Sequence, residues 1–307
     1  MILYILLCLI LVILFGGAYY SYRIAFYSPT KNRDMIPEVT DPHYTPFLAV
    51  IRDLFHQLKN KPCEYVTIQS RDGLTLSGRY YHTADNAPLA ICFHGYRSCW
   101  LTDFCGGADI AFQMGQNVLL VDQRAHGRSQ GRTITFGIKE RHDLMCWLEY
   151  ALNRFGTDTK ILLYGVSMGG ATVLMASGMD LPGNVKGIIA DSPYSSPLDI
   201  ILEVGRQKHY PVKLIKPFVI LGAKIYGGFD VREASGAEAV KQAKVPIMII
   251  HGEDDTFVPP EMSKLMQSTN PEFITLHTFP DAYHVLSYMV DTPRYRDLVK
   301  SFMQKVL

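Results

Sequence analysis

Short, predominantly apolar runs alternate with stretches of helical periodicity through most of this 307-residue chain. A strand buried on both faces lacks the polar alternation of a half-exposed strand, and helices are what cover both faces of a parallel sheet. The alternation therefore predicts an α/β fold with a mostly parallel central sheet flanked by helices. The runs that we interpret as its strands cover residues 89–93, 117–121, 161–166, 185–190, 245–250 and 273–279.

Two further runs, at residues 64–69 and 74–81, have β-type composition and are separated by a turn at residues 71–73 that contains Asp and Gly. Such a turn between two such runs is typical of a hairpin. We therefore expect the sheet to begin with an antiparallel pair. Before it, Thr45 and Pro46 are expected to start a helix whose apolar side chains face the domain.

The N-terminal segment differs from the rest of the chain, because every residue from Met1 to Phe15 is apolar and no charged side chain occurs before Arg23. A helix rises about 1.5 Å per residue, so roughly 20 residues span the hydrocarbon core of a bilayer. We predict a transmembrane anchor over residues 1–22, a proline-rich linker over residues 23–46 and one globular domain over residues 47–307.

A cleaved signal peptide is the main alternative for this segment, because Gly16 and Ala18 form a small-x-small cleavage pattern. No Lys or Arg precedes the apolar run, so the basic region that opens a secretory signal is missing. Positive charge near the end of a span tends to stay in the cytoplasm, and Arg23, Lys31 and Arg33 all follow the run. We therefore predict a single-pass membrane protein whose domain is cytoplasmic.

Composition restricts the partners and cofactors. The chain has 30 Lys and Arg residues against 29 Asp and Glu, and a net charge of +1 provides no field that would gather the phosphates of a nucleic acid. The six cysteines lack the paired CxxC spacing of a zinc site, and the HExxH, Walker A and GxGxxG motifs are absent. We therefore expect no nucleic-acid partner, no metal and no cofactor.

The sequence G-x-S-x-G occupies residues 165–169, between a predicted strand and a helical stretch. The tight turn between these elements requires Gly165 and Gly169, and its strain lifts the Ser167 hydroxyl clear of the sheet. The free N–H groups and dipole of the following helix favour negative charge near that hydroxyl. The pattern indicates a nucleophilic serine, although an incidental serine in a glycine-rich turn is the alternative.

A serine hydroxyl needs an imidazole to take its proton and a carboxylate to orient that imidazole. His284 follows the last predicted strand, and Asp255 follows the strand before it. Both therefore lie at the same carboxyl edge of the sheet as Ser167, in the order Ser, Asp, His. We interpret these three residues as a catalytic triad. Asp254 is the chief alternative to Asp255, and Asp191 is a more distant one.

The groups that would bind an oxyanion are expected in two turns. Gly95 follows the strand at residues 89–93 and lets the backbone turn so that the Tyr96 N–H points at the nucleophile. Together with the Met168 N–H, it would hold the oxyanion of a tetrahedral intermediate. An ordinary turn with a surface tyrosine is the alternative.

These motifs together resemble the α/β-hydrolase superfamily, in particular its serine-aminopeptidase-like or monoacylglycerol-lipase-like branch, which includes the membrane-anchored Bem46-like hydrolases. The resemblance covers roughly residues 60–307 and includes two further motifs, D-x-R-x-H-G-x-S at residues 122–129 and D-S-P-Y at residues 191–194. It implies an α/β-hydrolase fold. It also selects Asp255 as the acid, because that residue lies three positions before Val258 and Pro259.

The same resemblance assigns a structural role to Arg124, which would pair with buried carboxylates. The chain departs from the family pattern in a modest insert between the sixth and seventh strands, which the apolar runs place at about residues 195–238. We expect this insert to form a small cap, and so short a cap leaves the size of the substrate open.

Within that insert, residues 211–226 mix large apolar side chains with lysines and contain no acidic residue. Over the active site, Phe218, Ile220 and Leu221 could line an acyl-chain groove while the lysines face lipid headgroups. The simpler interpretation, which we favour, is that this stripe closes the cap onto the core.

The sequence thus predicts a membrane-anchored serine hydrolase that cleaves carboxylic esters of small-molecule or lipid-like acyl substrates through an acyl-enzyme. Cleavage of acyl thioesters and hydrolysis of peptides are alternatives on the same triad. A catalytically silent, membrane-tethered interaction module is an alternative of another class, because a fold does not fix a function. The presence of Ser167, Asp255 and His284 together argues against that module.

Overall fold

The computed structural model describes residues 1–29 and 38–307 and is built around one eight-stranded sheet. The strands are β1 (Glu64–Gln69), β2 (Thr75–Tyr81), β3 (Leu89–Phe93), β4 (Asn117–Asp122), β5 (Ile161–Val166), β6 (Val185–Asp191), β7 (Ile247–Gly252) and β8 (Ile274–Phe279). They lie in the order β1-β2-β4-β3-β5-β6-β7-β8. β2 is antiparallel to β1 and to β4, and all other neighbours are parallel. The prediction of a mostly parallel sheet that begins with a hairpin is confirmed.

Alternate residues of the inner strands face two separate cores. On β3, Leu89, Ile91 and Phe93 pack into one hydrophobic cluster. Ala90 and Cys92 pack into another cluster on the opposite face. Side chains alternate across a strand, so a strand that is covered on both sides is apolar at every position. This is the physical reason why the inner strands are continuous apolar runs in the sequence.

Helices cover both faces of the sheet. They are α1 (Ile2–Ala25), α2 (Leu48–Lys59), α3 (Trp100–Phe104), α4 (Gly107–Gln113), α5 (Glu140–Phe155), α6 (Met168–Ala176), α7 (Pro197–Gln207), α8 (Val212–Ile225), α9 (Gly236–Ala239), α10 (Glu261–Thr269), α11 (Ser287–Val290) and α12 (Thr292–Val306). One core contains side chains of α5, α6 and α10, and the other contains side chains of α2, α3, α4 and α12. Because apolar side chains fill both faces of the sheet, polar functional groups are expected in the loops at the carboxyl ends of the strands.

The N-terminal helix α1 has two parts in different environments. All of residues 1–16 are exposed, and by length and composition the helix could cross a membrane. From Gly17 onward it packs against α8, and Ala18 and Tyr22 are buried there. The helix ends at Ala25 rather than at residue 22, because its last turn is packed against protein instead of being released into a linker.

The segment predicted as a linker, residues 23–46, contains regular structure at both ends. Tyr27 forms a β-bridge with Thr133, and the Ile134 N–H donates to the Phe26 carbonyl oxygen at 2.8 Å. Residues 30–37 of the predicted linker lie outside the described residues.

A 3₁₀ helix, Pro42–Phe47, precedes α2, so the expected helix start at Thr45 and Pro46 is wrong. The Asp41 side chain caps this 3₁₀ helix by accepting the His43 N–H at 2.9 Å. Proline suits the first position of such a turn, because its missing N–H would have no partner there. The Asp-Pro pair thus takes the capping role that the sequence analysis gave to the Thr-Pro pair, and the α-helix begins only at Leu48.

The chain between β6 and β7 carries α7 and α8, which form the cap, and α8 packs against both α7 and α1. A Cβ atom on Gly222 would collide with the Ala18 carbonyl oxygen, and a Cβ atom on Gly17 would collide with the Phe218 ring. The close approach of α8 to α1 therefore depends on two residues that have no side chain at the contact.

Candidate active site

Ser167 lies in the sharp turn between β5 and α6, with a φ of 52°. This left-handed conformation is unusual for a residue with a side chain, and it persists only where the surrounding structure imposes it. Here the backbone segments around the turn approach one another closely. A Cβ atom on Gly165 would collide with the Gly169 carbonyl, and a Cβ atom on Gly169 would collide with the Phe93 carbonyl. The two glycines therefore permit the turn that presents the Ser167 hydroxyl.

The structure brings Ser167, His284 and Asp255 together at the carboxyl edge of the sheet. His284 lies between β8 and α11, and its Nε2 is 3.0 Å from the Ser167 Oγ. Asp255 lies between β7 and α10, and its Oδ2 is 2.7 Å from the His284 Nδ1. The three side chains form one continuous hydrogen-bonded chain.

The environment of Asp255 keeps its buried carboxyl group ionised. Its Oδ1 accepts the N–H groups of Phe257 at 3.0 Å and Val258 at 2.8 Å, and the His251 Nε2 lies 3.2 Å from its Oδ2. Burial by itself raises the pKa of this carboxyl, but the His284 and His251 imidazoles outweigh burial and hold the pKa well below its usual range. Asp255 is therefore an anionic acceptor for the His284 N–H.

The two alternative acids lie elsewhere. Asp254 is exposed, and its N–H donates to the Ala282 carbonyl oxygen at 3.1 Å. Asp191 is buried and accepts the hydroxyl groups of Tyr295 at 2.7 Å and Ser192 at 2.9 Å, while burial raises the pKa of its carboxyl. Of the three aspartates, Asp255 is the one hydrogen-bonded to the imidazole.

Backbone groups of the two predicted turns lie beside the serine. A Cβ atom on Gly95 would be 3.3 Å from the Ser167 Cβ, so the turn at Gly95 and Tyr96 passes directly along this residue. Met168 is the first residue of α6, and the first N–H groups of a helix have no acceptor within it. Both backbone segments proposed to bind an oxyanion therefore flank Ser167.

Asp103, on α3, supports the turn at Gly95, although no motif in the sequence marks it. Its Oδ2 accepts the Gly95 N–H at 2.5 Å, and its Oδ1 accepts the Ser98 hydroxyl at 2.5 Å. The residue is half-buried, and burial raises the pKa of its carboxyl. The available signal was a single acidic residue inside a stretch of two cysteines and three large apolar residues at residues 99–105.

The loop that carries His284 is supported by residues that the sequence analysis assigned to the linker. The Tyr44 hydroxyl donates to the His284 carbonyl oxygen at 2.9 Å. The His43 ring stacks on Tyr283 with 3.7 Å between ring centroids. Nothing in the sequence could have indicated these contacts, because the partners are 240 positions apart and meet only through tertiary packing.

The alpha/beta hydrolase fold family matches residues 88–228 of this chain. The chain is 25% identical over 292 residues to the uncharacterized protein YqkD of Bacillus subtilis, across 94% of this chain and 92% of that protein. It is 24% identical to the protein bem46 of Schizosaccharomyces pombe, across 73% of this chain and 72% of that protein. It is 26% identical to the uncharacterized membrane protein YNL320W of Saccharomyces cerevisiae, across 62% of each chain.

Among solved structures, the Pyrococcus furiosus esterase Pf2001 has a TM-score of 0.67 and 23% sequence identity, and the match covers 88% of this chain and 97% of that one. At this level of identity the likeness shows the fold. The motifs, the relatives and the fold agree. This chain has an α/β-hydrolase fold and is similar to the Bem46-like branch of hydrolases.

A cavity of about 280 Å³ lies beside Ser167 in this hydrolase. Its walls come from the cap helices α7 and α8, from α1 and from loops at the carboxyl edge of the sheet. Most of the lining is apolar, as is usual for a small-molecule site. The apolar wall includes Phe136, Ile200, Ile201, Val204, Ile215, Val219 and Val258.

The α8 side chains that line the cavity are Ile215 and Val219, not Phe218, Ile220 and Leu221, which the less favoured interpretation had placed there. Residues four apart share one face of a helix, whereas Phe218 lies about 100° away from Val219 around the axis. Phe218 packs over Gly17 of α1 instead. The stripe therefore does close the cap onto its neighbours, and the adjacent face of the same helix borders the cavity.

Arg124 pairs with two carboxylates of the hydrolase, as the resemblance implied. Its guanidinium lies 2.6 Å from the Asp143 carboxylate on α5 and 2.9 Å from the Asp72 carboxylate in the turn between β1 and β2. These ion pairs join the hairpin to α5. Across residues 1–29 and 38–307, no group of three or more His, Cys, Asp or Glu side chains is arranged to hold a metal ion.

Proposed function

We propose that this hydrolase is a membrane-anchored serine hydrolase that cleaves carboxylic ester bonds through an acyl-enzyme. The observation that carries the proposal is the hydrogen-bonded chain from the Ser167 Oγ to the His284 imidazole, at 3.0 Å, and on to the Asp255 carboxylate, at 2.7 Å. In such a chain the base lies within proton-transfer distance of the hydroxyl, and the carboxylate orients the base.

In the acylation half-reaction, the His284 Nε2 takes the hydroxyl proton as the Ser167 Oγ bonds to the substrate carbonyl carbon. The Tyr96 and Met168 N–H groups donate to the resulting oxyanion, and the loss of one such donor typically costs about two to three orders of magnitude in rate. When the intermediate collapses, the bond to the leaving oxygen breaks and His284 returns the proton to the alcohol. The ionised Asp255 stabilises the imidazolium throughout.

In the deacylation half-reaction, water replaces the departed alcohol. His284 takes a proton from this water as its oxygen bonds to the acyl carbon, and the same two N–H groups hold the second oxyanion. The bond to the Ser167 Oγ then breaks, and the serine regains its proton from His284. One ester and one water thus give one carboxylic acid and one alcohol.

The apolar cavity beside Ser167 supports an apolar acyl group as the part of the substrate that the hydrolase binds. Thioesters offer the same acyl carbon with a thiolate leaving group, and peptides require protonation of an amine. A panel of matched oxygen esters, thioesters and amides with one acyl chain separates these reactions, and we expect the highest kcat/KM for the oxygen ester.

We propose that α1 anchors the hydrolase as a single membrane span with the domain in the cytoplasm. The exposed, apolar residues 1–16 support the span, one yeast relative is called a membrane protein, and Arg23 lies at the domain end of the helix. In sealed, right-side-out vesicles the domain should resist external protease until the membrane is ruptured. Digestion of the domain in intact vesicles would contradict this orientation.

Covalent labelling by a fluorophosphonate tests the nucleophile. The wild-type hydrolase should be labelled, Ser167→Ala should not, and Ser177→Ala, which changes another buried serine on the same βα unit, should be labelled like the wild type. A folded wild-type protein that is neither labelled nor active on any ester, thioester or amide would instead support the catalytically silent interaction module.

A further inference from the structure

The domain end of α1 forms one wall of the cavity beside Ser167. Tyr20, Ser21, Ile24 and Ala25 line it together with side chains of α7 and α8. Tyr20 is also exposed on the outer surface of the helix, so the cavity reaches the surface where α1 leaves the domain. The helix is therefore part of the cavity in which the proposed function places the acyl group.

The same end of α1 is bonded to the turn that flanks the nucleophile. The Tyr96 hydroxyl donates to the Ala25 carbonyl oxygen at 2.8 Å, and the Arg97 guanidinium donates to the Ile24 carbonyl oxygen at 2.8 Å. The last carbonyl groups of a helix have no donors within it, so these side chains supply the missing partners. They fix the position of α1 relative to Ser167.

The exposed part of α1 continues directly from this wall. Tyr19 and Tyr22 on α1 pack against Tyr226, with ring centroids 5.3 Å and 6.0 Å apart, at the level of the helix where Tyr20 and Ser21 line the cavity. Tyrosines are enriched at membrane–water interfaces, because one end of the ring is apolar and the other polar. The exposed Tyr19 and Tyr20 thus place the α1 side of the cavity at the interface that the span implies.

The size and polarity of the cavity fit an aliphatic chain. A cavity of about 150 Å³ in an engineered protein core holds benzene. The present cavity, at about 280 Å³, therefore has room for much more than an acetyl group. Tyr20 and Ser21, which line its α1 side, lie nearest along the helix to the exposed residues 1–16, so a chain in the bilayer would reach Ser167 along this side.

We propose that α1 is a wall of the acyl-binding site and that the hydrolase takes the long acyl chain of a membrane lipid ester directly from the bilayer along this helix. The inference rests on the proposed ester hydrolysis and names its substrate class. The ester carbonyl lies at Ser167, the chain extends past Ile24 and Ser21 toward the bilayer, and hydrolysis by water releases a fatty acid and the lipid alcohol.

A bulky residue on the α1 wall should shorten the chain that the site accepts. We propose to measure kcat/KM for butanoyl and hexadecanoyl esters with full-length protein in phosphatidylcholine vesicles. Ser21→Phe should lower the ratio of the hexadecanoyl to the butanoyl value by about tenfold or more. The matched control, Ile13→Phe on the exposed part of the same helix, should leave both values unchanged. An unchanged ratio in a folded Ser21→Phe protein would overturn the inference.

A second variant covers the case in which Ser21→Phe does not fold. Ile24→Ala removes side-chain volume from the same wall and so enlarges the cavity. It should raise the ratio of the hexadecanoyl to the butanoyl kcat/KM. An unchanged ratio in that variant, with its melting temperature retained, would also overturn the inference.

A binding measurement separates this inference from the proposed activity. Full-length Ser167→Ala protein is placed in phosphatidylcholine vesicles that contain a hexadecanoyl glycerol ester with a diazirine at the chain end, and is irradiated. Crosslinks should map both to Ser21 or Ile24 and to Val204, which lines the cavity from α7. Crosslinks confined to residues 1–16 would reflect the bilayer alone and would overturn the inference. Crosslinks at Val204 in this variant, together with a wild-type protein that hydrolyses no ester, would instead refute the proposed activity and retain the lipid site.

Discussion

The charge on Asp255 is set by its neighbours rather than by solvent. Its carboxylate is buried and is surrounded by two imidazoles and two backbone N–H groups. Asp254, one position earlier, is exposed and far less constrained. A displacement of one position along the chain therefore separates a carboxylate that is hydrogen-bonded to His284 from a surface carboxylate.

We expect Asp255→Asn to lower kcat by about four orders of magnitude while the fold is retained, because the amide favours the wrong tautomer of His284. Asp254→Asn is the matched control and should keep kcat near the wild-type value. Steady-state kinetics on a soluble ester, with circular dichroism as the fold check, measures both. A dead Asp254→Asn protein beside an active Asp255→Asn protein would show that Asp254 is the acid.

The lowered pKa of Asp255 also predicts how stability changes in acid. A carboxyl whose pKa is lower in the folded state stabilises the protein above its unfolded pKa of about 3.9, and this contribution is lost as the pH falls toward the folded pKa. Urea unfolding at a series of acidic pH values should show a shallower loss of unfolding free energy in Asp255→Asn than in the wild type. Asp254→Asn should follow the wild-type curve, and identical slopes in all three proteins would contradict the account.

At the scale of elements, the contact between α1 and α8 depends on close backbone approach. Gly222 on α8 lies against the Ala18 carbonyl, whereas Gly16 on α1 has no heavy atom within 4 Å of where a Cβ would lie. The two glycines occupy helices but differ in what a methyl group would meet. They therefore provide a matched pair of substitutions.

We expect Gly222→Ala to lower the melting temperature and the activity on long-chain esters, because the added methyl group displaces α1 from α8. Gly16→Ala should do neither, since alanine favours the helix and meets nothing. Thermal unfolding in detergent and kinetics on a hexadecanoyl ester measure these effects. Equal melting temperatures for the two variants would mean that α1 is not packed on the cap.

At the scale of the whole molecule, the N-terminal helix divides into an exposed half and a half that belongs to the domain. Phe26, directly after the helix, is fully buried and packs edge-on against Phe136 and Phe229. Removing the exposed half should leave this packing intact. Removing the whole helix together with Phe26 should expose the rings of Phe136 and Phe229.

Two truncations test this division. A chain that begins at Gly17 should be soluble without detergent and should hydrolyse a butanoyl ester, whereas a chain that begins at Glu38 should be destabilised and much less active. Loss of a buried phenylalanine alone typically costs about 3–5 kcal/mol. Size-exclusion chromatography, thermal unfolding and ester kinetics measure the difference. Equal activity of the two truncations would show that the end of α1 contributes nothing to the site.

The sequence by itself determined the elements whose chemistry is local. The run at Leu89–Phe93 matches its strand at both ends, because a strand buried on both faces must be apolar throughout. The tight turn around Ser167 was predictable because only glycine tolerates its backbone contacts. The position of Asp255 and His284 at one edge of the sheet was predictable, because each residue follows the carboxyl end of a predicted parallel strand.

Tertiary structure alone decided the features that depend on packing between distant segments. Asp103 supports the turn at Gly95 and Tyr44 supports His284, but neither lies in a motif, because hydrogen-bond partners far apart in sequence leave no local pattern. The face of α8 toward the cavity, with Ile215 and Val219, depends on which side of that helix α1 covers. An apolar N-terminal run has the same composition whether it ends in a linker or packs onto a cap, so only the folded chain could make α1 a wall of the site.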